Sequence, residues 1–428
     1  MIKNKNTKAI GWIICTLAAI FYCYEYVLRM EPSVMVTELM HAFQVNATQF
    51  GMLSAVFYFI YTPMQIIVGP LLDLYGPRKI LTSAVVACAI GSYIFSIAHT
   101  LPVAAIGRLL IGFGSAFAFV TVLKLAASWL PQRFFAFFVG LATTLGMLGG
   151  MAGDIILIPL VRSIGWKQTI SAGTIAGVIL IPLVWLIIRD KPEEESFKKN
   201  AIKPKPQYRE TFLGFLKILK NPQMWLNGFT GGLMFLSLSV FAELWGIPFL
   251  TTVYHLSQHS AGTACSMVFL GWLVGGPMIG YISDMASSRR IPILIGLLFS
   301  AILISLIIYL PQINIGLLHL LLFLFGVFSS FEILCFAISS ESNPKHLIAT
   351  ASAFTNALVM FVGSICQPLF GKILDLFWSG QTLNGDRIYS TINYQYALTI
   401  LPLAFLLGFI LTFWLHETRI KKMNGKNN

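Results

Sequence analysis

Gly69-Pro70-Leu71-Leu72-Asp73-Leu74-Tyr75-Gly76-Pro77-Arg78-Lys79 lies between two long apolar runs, and Gly280-Tyr281-Ile282-Ser283-Asp284-Met285-Ala286-Ser287-Ser288-Arg289-Arg290 repeats its pattern in the second half of the chain. Both read Gly-x-x-x-Asp-x-x-x-x-Arg followed by a second basic residue, and each closes the second apolar run of its half. A short loop duplicated at constant offset predicts two similar halves built on one architecture.

Around these loops, 57% of the 428 residues are hydrophobic and 11% are charged. A soluble chain carries about 25% charge, so most of this surface is expected to face lipid. The net charge of +12 invites a nucleic-acid reading. The basic residues, however, sit in short segments between apolar runs, with no basic face interleaved with aromatics, and no nucleic-acid partner is expected. Cys15, Cys23, Cys88, Cys265, Cys335 and Cys366 all fall inside apolar runs without paired spacing. They read as small buried hydrophobes rather than disulfide partners or metal ligands, and no cofactor is expected. Lys3, Lys5 and Lys8 ahead of an apolar run from Ile10 imitate a secretion signal. The run continues into Tyr22-Cys23-Tyr24-Glu25 with no small-residue cleavage site, which makes it the first membrane span.

A span needs roughly 20 mostly apolar residues. Twelve runs qualify: 10–34, 48–72, 79–98, 101–128, 134–160, 168–188, 222–250, 260–283, 291–310, 314–340, 347–376 and 392–416. The expected fold is an all-α membrane protein of two pseudo-symmetric six-helix bundles. Its expected domains are 1–188, a linker 189–221, and 222–428 with a short basic tail. The linker holds Glu193-Glu194-Glu195, Lys198-Lys199 and Lys203-Pro204-Lys205-Pro206, and its composition predicts a flexible charged segment. Lys3, Lys5, Lys8, Arg78, Lys79, Arg133, the linker cations, Arg289, Arg290, Lys345, Arg419, Lys421, Lys422 and Lys426 fall on one side; Arg162, Lys167, Lys372 and Arg387 fall on the other. The positive-inside rule then puts both termini and the linker in the cytoplasm. Glycines such as Gly146, Gly149, Gly150, Gly153, Gly271, Gly275 and Gly276 are dense inside spans and predict closely approaching helix backbones.

Twelve spans in two sixes, a charged central linker and the loop after span two together resemble the major facilitator superfamily over nearly the whole chain. Arg108-Leu109-Leu110-Ile111-Gly112-Phe113-Gly114 in span four is similar to that family's Arg-x-x-x-Gly-x-Gly signature. Two positions depart from the pattern: Leu74 where the family usually has Arg, and Ser287 where the second copy lacks the inner Gly. The resemblance implies two bundles rocking about a central site, with gating or structural roles for Gly69, Asp73, Gly76, Arg78, Lys79, Arg108, Gly112, Gly114, Gly280, Asp284 and Arg289. Asp73 is expected against the positive N-terminus of a helix of the other half, span eleven foremost, latching one side shut. Arg78 and Lys79 would hold it, bind lipid phosphates, or simply anchor the turn.

Charged residues inside spans are costly and mark function. In span one Tyr22, Glu25, Tyr26 and Arg29 recur at spacings of three and four, which puts them on one helical face. Glu25 is a candidate for a proton or an amine. Arg29 is a candidate for a carboxylate or phosphate, with snorkelling to the membrane surface or a structural pair with Glu25 as alternatives. Glu243 stands in span seven, the counterpart of span one, and is the other proton candidate. Glu332 in span ten is a further one. Asp154 is expected either at the centre or paired with Arg108 or Arg162, and Lys124 is expected to snorkel. Tyr58, Tyr61 and Trp245 are candidates to line the site.

The chain is also loosely similar to amino-acid and dipeptide carriers and to sugar-phosphate permeases within that family. The latter tend to place an Arg on both equivalent helices, whereas span seven offers Glu243. A site of both signs suits a zwitterion, so the first expectation is proton-coupled uptake of an amino acid or short peptide. An organic-anion or sugar-phosphate carrier is the alternative, and drug efflux and a non-transporting sensor rank below it. No span or loop pairs a nucleophile with a base and no Gly-x-x-x-x-Gly-Lys loop is present, so neither an enzyme nor an ATP-driven pump is expected. The expected partners are the solute, protons and the lipid bilayer of a bacterial inner membrane, with the protein acting as a monomer.

Overall fold

The computed structural model describes residues 2–190, 208–310, 313–344, 347–383 and 386–418. Twelve helices among them are long and apolar enough to cross a membrane: Ala9–Val34, Ala47–Tyr75, Pro77–Ser96, Leu101–Trp129, Phe137–Ile164, Trp166–Ile187, Pro222–Val253, Gln258–Ala286, Arg290–Tyr309, Ile315–Glu341, Ile348–Leu376 and Thr391–Thr412. They are spans one to twelve below. An even number of crossings returns the chain to the side on which it starts, called here the termini side; the opposite is the far side.

Local chemistry sets where the spans begin. Asn46 accepts from the Gln49 amide while the Gln49 side chain returns to the Asn46 amide, a capping box that opens span two. Ser390 and Asn393 do the same for span twelve, and Ser257 and Asn314 cap spans eight and ten. Pro77 and Pro222 sit in the first turn of spans three and seven, where a missing N–H costs nothing. Prolines within spans, including Pro63, Pro70, Pro277 and Pro368, are tolerated because packed neighbours re-satisfy the freed carbonyls.

The tightest helix pairs follow the small residues. A Cβ on Gly112 would strike the Phe57 carbonyl, seating span four on span two, and one on Gly114 would strike the Ala84 carbonyl of span three. Gly271 and Gly326 face one another where spans eight and ten touch backbone to backbone. Gly69 and Gly280 have open space at that position, so packing does not require glycine at either. Gly76 differs again: its φ is +82° and the Asp190 carboxylate fills the place of its side chain.

Burial sorts the helices. The most apolar stretch of span seven is 89% buried and that of span six 22%, so span seven stands at the centre and span six at the rim. The rim is apolar outward, with Ile175, Val178, Ile179 and Leu186 of span six and Leu403, Leu407 and Ile410 of span twelve exposed, as a lipid-facing wall requires. Spans two and eleven pack along most of their length, and spans five and eight and spans one and seven also cross-pack.

Three elements were not legible beforehand. Val36–Phe43 forms a short helix between spans one and two. A two-residue hairpin, Thr382–Leu383 with Asp386–Arg387, lies between spans eleven and twelve. Tyr208–Leu219, assigned to the flexible linker, is a helix. Its Phe215 ring meets Phe354 and its Gly214 sits on Leu347, at the start of span eleven, because one face of this segment is apolar. The charged runs of residues 191–207, Lys345 and the tail cations from Arg419 onward lie outside the described residues.

Gly326→Val should be overpacked against the Val268 carbonyl. A loss of about 1–3 kcal/mol is expected. It would be read as a melting point several degrees lower in detergent, while Gly280→Ala should leave the melting point unchanged.

Candidate functional site

Span one brings Glu25 and Arg29 to one face, and both are buried, at 0% and 3% exposure. The Arg29 guanidinium reaches the Glu25 carboxylate at 3.3 Å and, across the two halves, Glu243 Oε1 at 3.7 Å. Aromatic rings surround it: the centroids of Tyr26, Phe57, Tyr58 and Tyr61 lie 4.4, 5.0, 5.9 and 5.6 Å from the guanidinium carbon. Tyr58 of span two donates to Glu243, a second link between the halves. Tyr61 stacks on Phe57 and bonds Asn356 of span eleven. Tyr22 meets Tyr26 edge-on at 5.2 Å and extends the polar face toward the termini side.

The ion pairs at this centre are long, and they leave donors and acceptors unused. Arg29 Nε and Nη1 and Glu243 Oε1 are buried without a hydrogen-bond partner among the described residues. Unmet donors on a buried cation are expensive and call for an explanation. The helix carrying Glu243 is also irregular: Ser237–Trp245 is π-helical, a widened turn that recurs at functional sites. Gly153–Leu157 in span five is π-helical too and carries Asp154.

Several expectations change here. Arg29 does not snorkel; it is held at the centre. Asp154 pairs with neither Arg108 nor Arg162. Both its oxygens are buried and unpartnered among the described residues, and its charged neighbour is Glu243. Arg162 instead donates to Gln258 at 3.3 Å, and Arg108 donates to the Leu28 carbonyl at 2.9 Å. Arg108 lies over the Phe57 ring, on the ring that Arg29 also approaches, and interacts electrostatically with Glu31. Glu31, 2% exposed, was missed by the sequence reading; its place within span one was the available signal. Trp245 lies in the contact between halves, stacked on Phe370 at 4.9 Å and edge-on to Phe50, and its indole N–H donates to the Gln367 carbonyl at 3.4 Å. Glu332 is buried in a 3-10 turn of span ten and takes no part in the Arg29 cluster.

The repeated loops have separate partners. Asp73 pairs with Lys124 of span four at 2.6 Å, and its side chain is 80% exposed; no bond from it to span eleven is found among the described residues. Arg78 turns away from Asp73. It donates from Nε to the Trp185 carbonyl, lies 4.3 Å from that ring, and its backbone N–H meets Asp190. In the second copy Arg289 bridges Asp284 and Glu341, each at 2.7 Å, while Glu417 accepts from the backbone amides of Arg289 and Arg290. Partial burial acts to lower the Arg289 pKa, but the bonds to Glu341 and Asp284 outweigh it and raise the value. Lys79 makes no contact that assigns it a role.

Replacing Arg29 by Gln leaves Glu25 and Glu243 facing each other in a dry centre. Breaking a buried charge set by removing one partner costs about 3–5 kcal/mol. A large drop in melting point is expected for Arg29→Gln, largely restored in the Glu25→Gln, Arg29→Gln, Glu243→Gln triple variant, measured by thermal unfolding in detergent.

A family model described as Major Facilitator Superfamily matches residues 14–368 and, in a second match, 246–427. The chain is 22% identical over 401 residues to a probable galactarate/D-glucarate transporter of Escherichia coli (strain K12), covering 86% of this chain and 88% of that one. It is 23% identical over 189 residues to a probable sulfoacetate transporter of Cupriavidus necator, an alignment that spans 43% of each. Among solved structures, it resembles a bacterial homologue of the human lysosomal transporter Spinster in an inward-facing, unoccupied conformation, with a TM-score of 0.78, 13% identity, and coverage of 95% of this chain and 97% of that one.

Proposed function

The chain belongs to the major facilitator superfamily of transporters, and from that premise we propose that it takes up a small organic anion together with a proton. The observation that carries this reading is the buried Arg29, whose Nε and Nη1 have no hydrogen-bond partner among the described residues, Nη1 meeting Glu243 only as a long ion pair of 3.7 Å. The Nε–H and the Nη1–H point along different edges of the guanidinium, so each offers a separate charge-assisted bond to a carboxylate or sulfonate oxygen. The aromatic cage would exclude water around the bound anion and strengthen those bonds.

Charge counting supplies the coupling. Arg29 with Glu25 and Glu243 sums to one negative charge, and a bound carboxylate would make it two. Each like-charge contact near 4 Å costs about 4 kcal/mol at an effective dielectric of 20. A proton on Glu243 removes that cost. Glu243 is the acid to take it, because Arg29 holds it at 3.7 Å and from the other half of the molecule. A neutral Glu243 releases Arg29 to the substrate and loosens a tie between the halves, which links occupancy to rearrangement.

Sulfoacetate, galactarate and D-glucarate, the solutes in the relatives' names, are all anions, and this moves the preference from zwitterion to organic anion. The zwitterion reading keeps one support: Glu243 Oε1 accepts no hydrogen bond from the described residues and would take an ammonium group. The proposed setting is a bacterial inner membrane, with cytoplasmic termini as the basic-residue bias argues. The halves 1–188 and 222–428 would act as the rocking bodies of a monomer.

Uptake into proteoliposomes with an alkaline interior tests this, using sulfoacetate, D-glucarate, a sugar phosphate, an amino acid and a dipeptide. Carboxylate or sulfonate accumulation that depends on the proton gradient is expected. Arg29→Gln should weaken binding by roughly 30-fold or more, the loss of about 2 kcal/mol from bonds to a charged group. Glu243→Gln should preserve exchange but lose gradient-driven accumulation. Accumulation of the amino acid or dipeptide alone would replace this reading with the zwitterion one.

A further inference from the structure

On the far side, where spans two and eleven meet, one carboxylate gathers donors from both halves. Asp375, near the C-terminal end of span eleven, accepts on Oδ2 from the Thr48 backbone N–H at 2.8 Å and from the Thr48 hydroxyl. Its Oδ1 accepts from Tyr389 and, at 3.1 Å, from Arg387 Nη1. The Tyr389 hydroxyl in turn accepts from the Ala47 N–H at 3.2 Å. Ala47 and Thr48 open span two, so a helix of 29 residues directs its positive end at Asp375. The carboxylate is 13% exposed, which spares these bonds from screening. Burial and the bond to Asp375 raise the Tyr389 pKa, so Tyr389 stays a donor at neutral pH.

The backbones beneath allow this contact. A Cβ on Gly51 would lie 2.7 Å from the Gln367 carbonyl, and one on Gly371 would strike the Ala47 carbonyl. At the other end of the same antiparallel pair, Asp73 closes span two. It is exposed and bound to Lys124 within its own half. Spans two and eleven are thus joined at one end and not through Asp73 at the other. A further polar link across the far side, Arg162 to Gln258, is a single exposed bond of 3.3 Å between side chains of which one is neutral.

We propose that Asp375 is the far-side latch: its grip on the N-terminus of span two holds the far side shut while the termini side is open, and Thr48 must leave it before the far side can open. The latch concerns the conformational equilibrium and stands whether the solute is an anion or a zwitterion. It also gives Gly51 and Gly371 a purpose beyond packing, since bulk at either would hold the donors of span two away from Asp375.

Spin labels at Ser163→Cys and His259→Cys, both exposed on the far side of opposite halves, report the gap in full-length protein in lipid nanodiscs, with Cys23 and Cys366 replaced by Ser. The unmutated latch should give mainly a short distance. In Asp375→Asn the longer-distance population should rise at least about threefold, because the charge that holds the helix end is gone. Thr48→Val with Tyr389→Phe, which removes donors and leaves the carboxylate, should shift it the same way and carries the test if Asp375→Asn does not fold. Arg387→Gln should shift it less, since Arg387 belongs to the same half as Asp375. A distance distribution unchanged in whichever of the first two variants folds would overturn the proposal.

Discussion

A guanidinium buried in a membrane protein has to be answered by charge, and the way Arg29 is answered organises this molecule. One carboxylate, Glu25, comes from its own helix and the other, Glu243, from the opposite half. The second pair therefore joins the two bundles at their centre, and Tyr58 adds a bond to the same carboxylate. Under the proposed reading, neutralising Glu243 or competing for Arg29 would act on the bundles as well, because the proposed site and the contact between halves share the same few atoms.

The geometry around that centre is asymmetric from one side to the other. Toward the far side lie Trp245 on Phe370 and Phe50, the Gly51 and Gly371 backbone contacts, and the Asp375 bonds. Toward the termini side, Asp73 is 80% and Asp284 64% exposed, and each is paired within its own half. Among the described residues, the hydrogen bonds and ion pairs that join the halves lie at the centre and on the far side. The repeated loops act here as internal braces: Arg289 clamps Asp284 and Glu341, and Arg78 clamps the end of span six through Trp185 and Asp190. The expected contact of Asp73 with the other half is not seen among the described residues, where it pairs within its own half.

Much of the fold was legible because the bilayer imposes a coarse code. Apolar runs of sufficient length must be helices, and the twelve expected spans differ from those found mainly by a few residues at their ends. The face of span one was legible for a similar reason: residues at spacings of three and four share a side of a helix whatever its partners. Tyr22, Glu25, Tyr26 and Arg29 do come together, and Glu243 joins them. Pairing was not legible. Asp154 was expected either at the centre or paired with an arginine and has no hydrogen-bond partner among the described residues, and the bond from Lys124 to Asp73 was not foreseen. Glu31, Asp190 and Asp375 escaped notice, since an acid near the end of a span looks like an ordinary surface residue until its neighbours are known.

Length, apolarity, repeat and helical period are properties of neighbouring residues, and from them the sequence by itself determined the class, the number of spans and which side chains of one helix act together. Partnership across helices is decided by which of many apolar faces meet, and those faces are nearly interchangeable along the chain. Only the tertiary structure could decide that Glu243 answers Arg29, that the Arg78 guanidinium meets Trp185 rather than Asp73, and that Asp375, some three hundred residues from Thr48, caps the start of span two.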